Sequence, residues 1–347
     1  MATDPPPGLD LDRLSDWLVG QRVTPVAGPL RADLIEGGKS NLTYDVTDGQ
    51  HRWIVRRAPL GHVLATAHDM RREYRVADAL RHTSVPVPAM IAFCSDDEVI
   101  GTSFYVMERV EGVPYRYADE LRRLGEARTR GICVELVRAL ALLHQVDPES
   151  VGLGDFGRPD GFLGRQVARW KGQLDKSRTR DLPLADVLYD ALAAAVPESA
   201  PSGIVHGDFR LDNVLMDTHD RPAAVIDWEM ATLGDPRLDL ALMLVYQRRA
   251  RLVADESGTD PATYDVTLAP GYLSEPEILQ EYQDSSGIDV TGFGFHLGLA
   301  CFKLAAIGEG IRFRHTHGQT VGAGFEGAGD SVPMLLELGL GTLKEYT

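Results

Sequence analysis

Asp208, Asn213 and Asp227 are residues whose types and spacing suit one piece of chemistry together. They lie in Ile204-Val-His206-Gly-Asp208-Phe-Arg-Leu-Asp-Asn213-Val-Leu-Met216 and in Val225-Ile-Asp227-Trp-Glu229. Moving a phosphoryl group asks little covalent work of a protein. It needs a carboxylate to meet the attacking hydroxyl and oxygen ligands for the cation that neutralises phosphate charge. On that reading Asp208 accepts the substrate proton, and Asn213 and Asp227 hold Mg²⁺. Alone, His206-Gly-Asp208 would say little, because a turn aspartate capping backbone amides looks the same. Asn213 five positions on, with a second carboxylate on a later strand, makes the pattern specific. Asp155-Phe156-Gly157 spells a metal-binding motif of the same chemistry, but it precedes Asp208 in the chain. That order is wrong, and the segment reads as a Gly-rich surface loop.

The elements that must carry these residues are legible in outline. Residues 1–8 are Pro-rich, and Leu11, Leu14, Trp17 and Leu18 mark a short helix over about 9–19. From about 30 to 110 the texture is β-rich: Asn41–Val46, His51–Arg56 and Thr102–Arg109 read as strands, and Ala67–Leu80 as one helix. This describes a small antiparallel sheet carrying a single main helix. Beyond Gly112 the pattern is mainly helical, with Ile132, Leu136, Leu140 and Leu143 on one face of a helix ending near His144. Apolar runs around Ile204, Val214 and Val225 are short strands that present polar residues at their ends. Ala254–Pro270, rich in Asp, Thr, Pro and Gly, reads as a loop or lid. Ser274-Glu-Pro-Glu277 has capping-box spacing ahead of a helix over Glu275–Asp284. Gly294–Ile311 and Val332–Leu343 supply further helices. The class is α+β.

His206-Gly-Asp208-Phe-Arg-Leu-Asp-Asn213, Ile226-Asp-Trp-Glu229 and Leu233-Gly-Asp235-Pro-Arg-Leu-Asp239 together resemble the aminoglycoside phosphotransferase and choline kinase family. The resemblance implies a bilobal, protein-kinase-like fold: an ATP-binding lobe over 1–110, a catalytic and substrate lobe over 111–347, and a hinge at 107–112. It implies ATP and Mg²⁺ as cofactors and a small-molecule hydroxyl as acceptor. Glu36-Gly-Gly-Lys-Ser-Asn41 stands where backbone amides would cover phosphates, with Ser40 and Asn41 as contacts; by itself the segment reads equally as a hairpin turn. Arg56 takes the place of the strand lysine that binds phosphates, chosen over Arg57 because alternation puts it on the face of Ile54. Glu73 is its helix partner. Met107 lines the back of an adenine pocket, with backbone groups of Glu108 and Val110 at the hinge. Asp235 and Asp239 brace the catalytic loop, and His206 orients it.

The fuller pattern, from Met70 to Tyr74 and from Tyr105 to Glu108, is similar to the kinase-like domain associated with acyl-CoA dehydrogenases. That resemblance implies a hydroxyacyl-CoA acceptor. Arg165, Arg169, Lys171, Lys176, Arg178 and Arg180 could attract CoA phosphates, or form a solvated helix face. An aminoglycoside or amino alcohol would instead suit Asp255, Glu256, Asp260 and Glu275. A nucleotide-binding pseudokinase is the non-catalytic alternative, favoured only by Arg56 in place of lysine.

Composition narrows the classes. A net charge of −16 opposes nucleic-acid binding, which needs clustered Lys and Arg. Cys94, Cys133 and Cys301 have no zinc or disulfide spacing, and no unbroken apolar run is long enough to span a membrane. A cytoplasmic protein with neither nucleic-acid nor membrane partners is expected.

Overall fold

The computed structural model describes residues 6–21, 25–35, 41–60, 69–198, 201–257, 265–319, 327 and 329–345, with backbone alone at 256 and 257. The chain forms two compact units. One comprises Met1–Val113 with Val214–Ala231, the other Pro114–Asn213 with Thr232–Thr347.

The first unit is built on a five-stranded antiparallel sheet of β1 (Arg31–Leu34), β2 (Leu42–Thr47), β3 (Arg52–Arg57), β4 (Met90–Cys94) and β5 (Phe104–Glu108), ordered β1-β2-β3-β5-β4. Side chains of successive strand residues point to opposite faces. Tyr44, Val46, Trp53, Val55, Phe104 and Val106 therefore share one face, packed with Leu14 and Leu18 of helix α1 (Leu11–Gln21). Ile54, Tyr105 and Met107 take the other face and pack on Met70 of helix α2 (Met70–Leu80). α2 starts where the Asp69 carboxylate accepts the N–H groups of Arg71 and Arg72. Its buried positions are Met70, Glu73, Val76, Ala77 and Leu80, a helical stripe containing one carboxylate. Asp97–Ile100 forms the short helix α3.

The sequence reading contains neither β1 nor β4. Both are edge strands, and β1 is largely exposed, so neither needs the two-sided apolar alternation by which strands are recognised. The hairpin of β7 (Val214–Met216) and β8 (Pro222–Val225) belongs to this unit through the segment after β5, since Val113 and Met216 exchange backbone hydrogen bonds of 2.9 and 3.1 Å. Gly112 permits that approach: a Cβ there would stand 2.8 Å from Leu215 Cβ.

The second unit is helical, comprising α4 (Ala118–Arg122), α5 (Glu126–His144), α6 (Phe162–Ser177), α7 (Pro183–Ala194), α8 (Arg237–Ser257), α9 (Glu275–Ser286), α10 (Gly294–Thr316) and α11 (Val332–Thr342). Among the described residues its one ladder pairs β6 (Gly203–Val205) with β9 (Thr232–Gly234). α10 is the central helix, buried over most of its length against α6, α8 and α11. α9 begins with the expected box: the Ser274 N–H donates to Glu277 at 2.8 Å. The expected lid at Ala254–Pro270 is partly helix, because α8 continues to Ser257, and residues 258–264 lie outside the described residues. Asp155-Phe156-Gly157 is a loop, but not a surface one throughout: Phe156 is buried, and a Cβ on Gly157 would meet the Leu233 backbone at 2.8 Å.

Candidate active site

In the second unit the chemistry-bearing loop leaves β6 and is held from behind by a buried carboxylate. Asp239, in the first turn of α8, accepts the N–H groups of His206 at 2.6 Å and Gly207 at 2.7 Å. Its Oδ2 also lies 3.3 Å from His144 Nε2, whose Nδ1 is 2.7 Å from the Tyr282 hydroxyl. Burial pushes this carboxyl up, but His144 and the backbone donors outweigh it and hold it below the ordinary aspartate range. His206 accepts the Asp208 N–H at 3.2 Å, so it shapes the turn that presents Asp208. Asp235 is held similarly, by His296 at 2.7 Å and by Arg237.

Both oxygens of Asp208 are engaged. Asn213 Nδ2 donates to Asp208 Oδ2 at 3.2 Å and to its carbonyl at 2.9 Å, spanning the loop that the five-residue spacing creates. The Tyr246 hydroxyl, on α8, donates to Oδ1 at 3.0 Å. Arg210 stacks over the Tyr246 ring at 4.5 Å and pairs with Asp212 at 2.5 Å. Lys303 of α10 donates its ammonium to the Gly207 carbonyl.

In the first unit a second cluster forms around Arg56. Its guanidinium lies 2.9 Å from Glu73 Oε2, 2.5 Å from Asp227 Oδ1 and 3.8 Å from Glu229 Oε2. The Tyr105 hydroxyl donates to Glu73 Oε2 at 3.0 Å. Three carboxylates thus share one guanidinium. Burial, opposed by Arg56 and reinforced by Asp227 and Glu229, pushes the Glu73 carboxyl up to about 7. Asp227 follows β8 in the left-handed backbone region, at φ 68°, which an aspartate tolerates better than most residues. The register pairs Val214, the residue after Asn213, with Val225, two residues before Asp227.

Other expected site residues fall variously. Ser40 lies outside the described residues. Asn41 is buried, and its Nδ2 donates to Glu73 at 2.8 Å and Glu229 at 3.2 Å, so its amide is aimed at carboxylates. Met107 lies with Ile54 on the face that carries Arg56. Glu108 ends β5 with its N–H donated to the Ala89 carbonyl at 2.8 Å, and Val110 follows in an irregular segment. A separate cleft of about 1070 Å³, lined by Pro6–Arg13 and Asp97–Gly101, contains none of these groups.

Tyr105, Glu229, Tyr246 and Lys303 have no role in the sequence reading. Signals exist for three of them. Tyr105 alternates with Met107, Tyr246 lies seven residues, about two helical turns, after Asp239, and Lys303 is the sole Lys, Arg, Asp or Glu between Gly294 and Gly308.

The profile of the phosphotransferase enzyme family matches residues 31–282. Acyl-CoA dehydrogenase family member 11 of Gallus gallus is 34% identical over 92% of this chain and 41% of its own length. The chain spans less than half the length of the curated relatives it matches. Among solved structures, a Ralstonia eutropha protein provisionally described as an aminoglycoside phosphotransferase is 34% identical, covering 97% of this chain and 99% of its own, with a TM-score of 0.82. Aminoglycoside phosphotransferase APH(4)-Ia, in a ternary complex with AMP-PNP and hygromycin B, shares the fold at 15% identity and TM-score 0.58, covering 91% of this chain and 95% of its own.

Proposed function

This chain belongs to the phosphotransferase enzyme family, and from that premise we propose that it transfers the γ-phosphate of ATP to a hydroxyl of a small molecule. The observation that carries the reading is the doubly held carboxylate of Asp208, whose two oxygens are fixed by Asn213 and Tyr246. A base fixed in this way meets a hydroxyl without reorganising, which is how positioning lowers a barrier. Asp208 takes the proton as the hydroxyl oxygen attacks the γ-phosphorus of ATP and the bond to the departing ADP breaks. Arg56, set by Glu73, is the cation for the nucleotide phosphates, and Met107, Glu108 and Val110 serve the adenine. Ser40 and the backbone of Asn41 belong to the phosphate loop, while the Asn41 amide steadies Glu73.

Mg²⁺ prefers hard oxygen ligands and is held by one or two protein groups together with waters and phosphates. The Asn213 amide oxygen and the Asp227 carboxylate are donors of that kind. Bound there, Mg²⁺ would neutralise charge on the transferring phosphate.

For the acceptor we favour a hydroxyacyl-CoA, with an aminoglycoside or amino alcohol as the alternative. The support is that the chain matches part of proteins named as acyl-CoA dehydrogenase family members. Most of the basic stretch on and after α6 is engaged internally. Lys171 and Arg178 pair with Asp186, Arg180 with Glu309, and Arg165 with the Asp160 and Arg158 carbonyls. The acidic alternative is depleted too, since Glu275 pairs with Arg248 at 2.5 Å. Three buried free thiols fit a cytoplasmic setting.

ADP release on a panel of hydroxyacyl-CoAs, aminoglycosides, choline and ethanolamine tests the reading. Acceptor-dependent turnover that falls by at least about 10³-fold in Asp208→Asn supports it, in line with the loss of a general base. No turnover on the whole panel, with nucleotide binding retained, replaces it with the pseudokinase scaffold.

A further inference from the structure

Close to the Asp208 loop the second unit holds two cations near one ring. Arg169 and Trp170 are neighbours on α6, and Lys303 projects from α10, which packs on α6. The Arg169 guanidinium lies 5.1 Å from the Trp170 ring centre and the Lys303 ammonium 5.7 Å from it. Among the described residues neither cation forms an ion pair; Lys303 donates only to the carbonyl of Gly207, the residue before Asp208. This contrasts with Lys171, Arg178 and Arg180 nearby, each matched to a carboxylate.

Two like charges near one aromatic ring repel, and for Lys303 burial adds to the cost. Burial and Arg169 both draw the Lys303 ammonium below the ordinary lysine range, against the pull of Asp208 and Asp239. An ammonium has three donors, so one carbonyl leaves capacity for a ligand oxygen. Sites with this balance, two cations near one ring with no carboxylate ion-paired to either among the described residues, suit an incoming oxyanion. A polycation would be repelled by the same pair.

We propose that Arg169 and Lys303 form an anion subsite for the acceptor, binding a carboxylate or phosphate carried by the molecule whose hydroxyl meets Asp208. The inference deepens the phosphotransferase reading and rests on it. The subsite selects anionic acceptors over aminoglycosides.

The test uses three acceptors that share one hydroxyl: 3-hydroxybutyrate, 3-hydroxybutyryl-CoA and neutral 3-hydroxybutyramide. Lys303→Met and Arg169→Gln are each expected to raise the KM of an oxyanion acceptor by about tenfold or more, the effect of losing a charged hydrogen bond. In Arg169→Gln the KM for ATP and that for the amide stay unchanged, and Lys303→Arg restores most of the loss seen in Lys303→Met. Arg169 is exposed, so its variant is protected from misfolding. An effect on 3-hydroxybutyrate alone identifies the acceptor's carboxylate as the bound group; one on the CoA ester alone identifies phosphate. Equal losses for charged and neutral acceptors, or an ATP KM that moves with the acceptor KM, overturns the subsite. Calorimetric titration of both anions separates this failure from that of the parent reading. Binding lost in the variants without any turnover keeps the subsite and sinks the kinase, whereas anions that bind wild type and variants alike, or neither, sink the subsite.

Discussion

Tyr246 shows how much of the candidate chemistry depends on a side chain with no part in the motif. Its hydroxyl donates to Asp208 Oδ1 at 3.0 Å while Arg210 covers its ring at 4.5 Å, so the phenol is fixed on one side and donates on the other. Burial and the charge of Asp208 keep that phenol protonated, well above the ordinary tyrosine range, so it remains a donor wherever the enzyme is assayed. Removing the hydroxyl leaves the Asp208–Asn213 contact in place and frees one carboxylate oxygen. Tyr246→Phe is therefore expected to lower kcat by about tenfold or more, the effect of a charged hydrogen bond, with the KM for ATP unchanged. A KM that rises while kcat holds would show that the hydroxyl serves binding instead. In the first unit Arg56 has the equivalent part, one guanidinium serving Glu73, Asp227 and Glu229. Its fork can reach several carboxylates at once, which a lysine ammonium on a single stem does less well.

At the scale of elements, α8 does two jobs with one face. Asp239 in its first turn receives two backbone N–H groups of the loop, and Tyr246 two turns later receives the loop's product, the placed Asp208. The helix is thus a template on which the His206–Asp208 turn is moulded. Asp239→Ala leaves two buried N–H groups without an acceptor and His144 without its carboxylate partner. We expect a loss of about 3 kcal/mol of stability, read from the denaturation midpoint at constant m, together with loss of turnover. The sign with pH follows from the depressed carboxyl: its contribution is present above the ordinary aspartate range and disappears on acidification, so wild type and variant converge at low pH. If the stability gap persisted unchanged through acid, Asp239 would not be the ionised brace described here. The sheet works by the same division of labour, because alternation sends Trp53 and Val55 to the α1 side and leaves Ile54 and Arg56 to the α2 side.

For the molecule as a whole, each compact unit contains one of the two polar clusters. Within a chain of net charge −16, Arg169 and Lys303 both lie near the Trp170 ring. A ligand that binds only the folded protein stabilises it by mass action, about 2.7 kcal/mol at a hundredfold excess over Kd. AMP-PNP with Mg²⁺ is therefore expected to raise the melting temperature of wild type and of Asp208→Asn alike. Asp227→Ala should lose most of that shift, and so should wild type treated with a chelator. Should Asp227→Ala keep the full Mg²⁺-dependent shift, the metal assignment moves to other oxygens.

What the sequence by itself determined is what local physics governs. Spacing within one segment placed Asn213 against Asp208, because five residues close a tight loop, and alternation chose Arg56 over Arg57. The capping box at Ser274 and the periodic helices α5, α9 and α10 were likewise legible from neighbours in the chain. The family profile over residues 31–282 agrees with the fold class read from those patterns. Tertiary structure decided what depends on distant partners. The edge strands β1 and β4 exist because β2 and β5 offer them hydrogen bonds, not through any pattern of their own. Arg165, Lys171, Arg178 and Arg180 look like one basic patch in sequence, yet folding matches them to carbonyls and carboxylates and leaves Arg169 and Lys303 beside one ring. Tyr246 and Asp208 are 38 residues apart, and only packing of α8 on the loop brings hydroxyl to carboxylate. Charge is carried by the chain, but whether a charge is spent on a neighbour or kept for a ligand is settled by which helices meet.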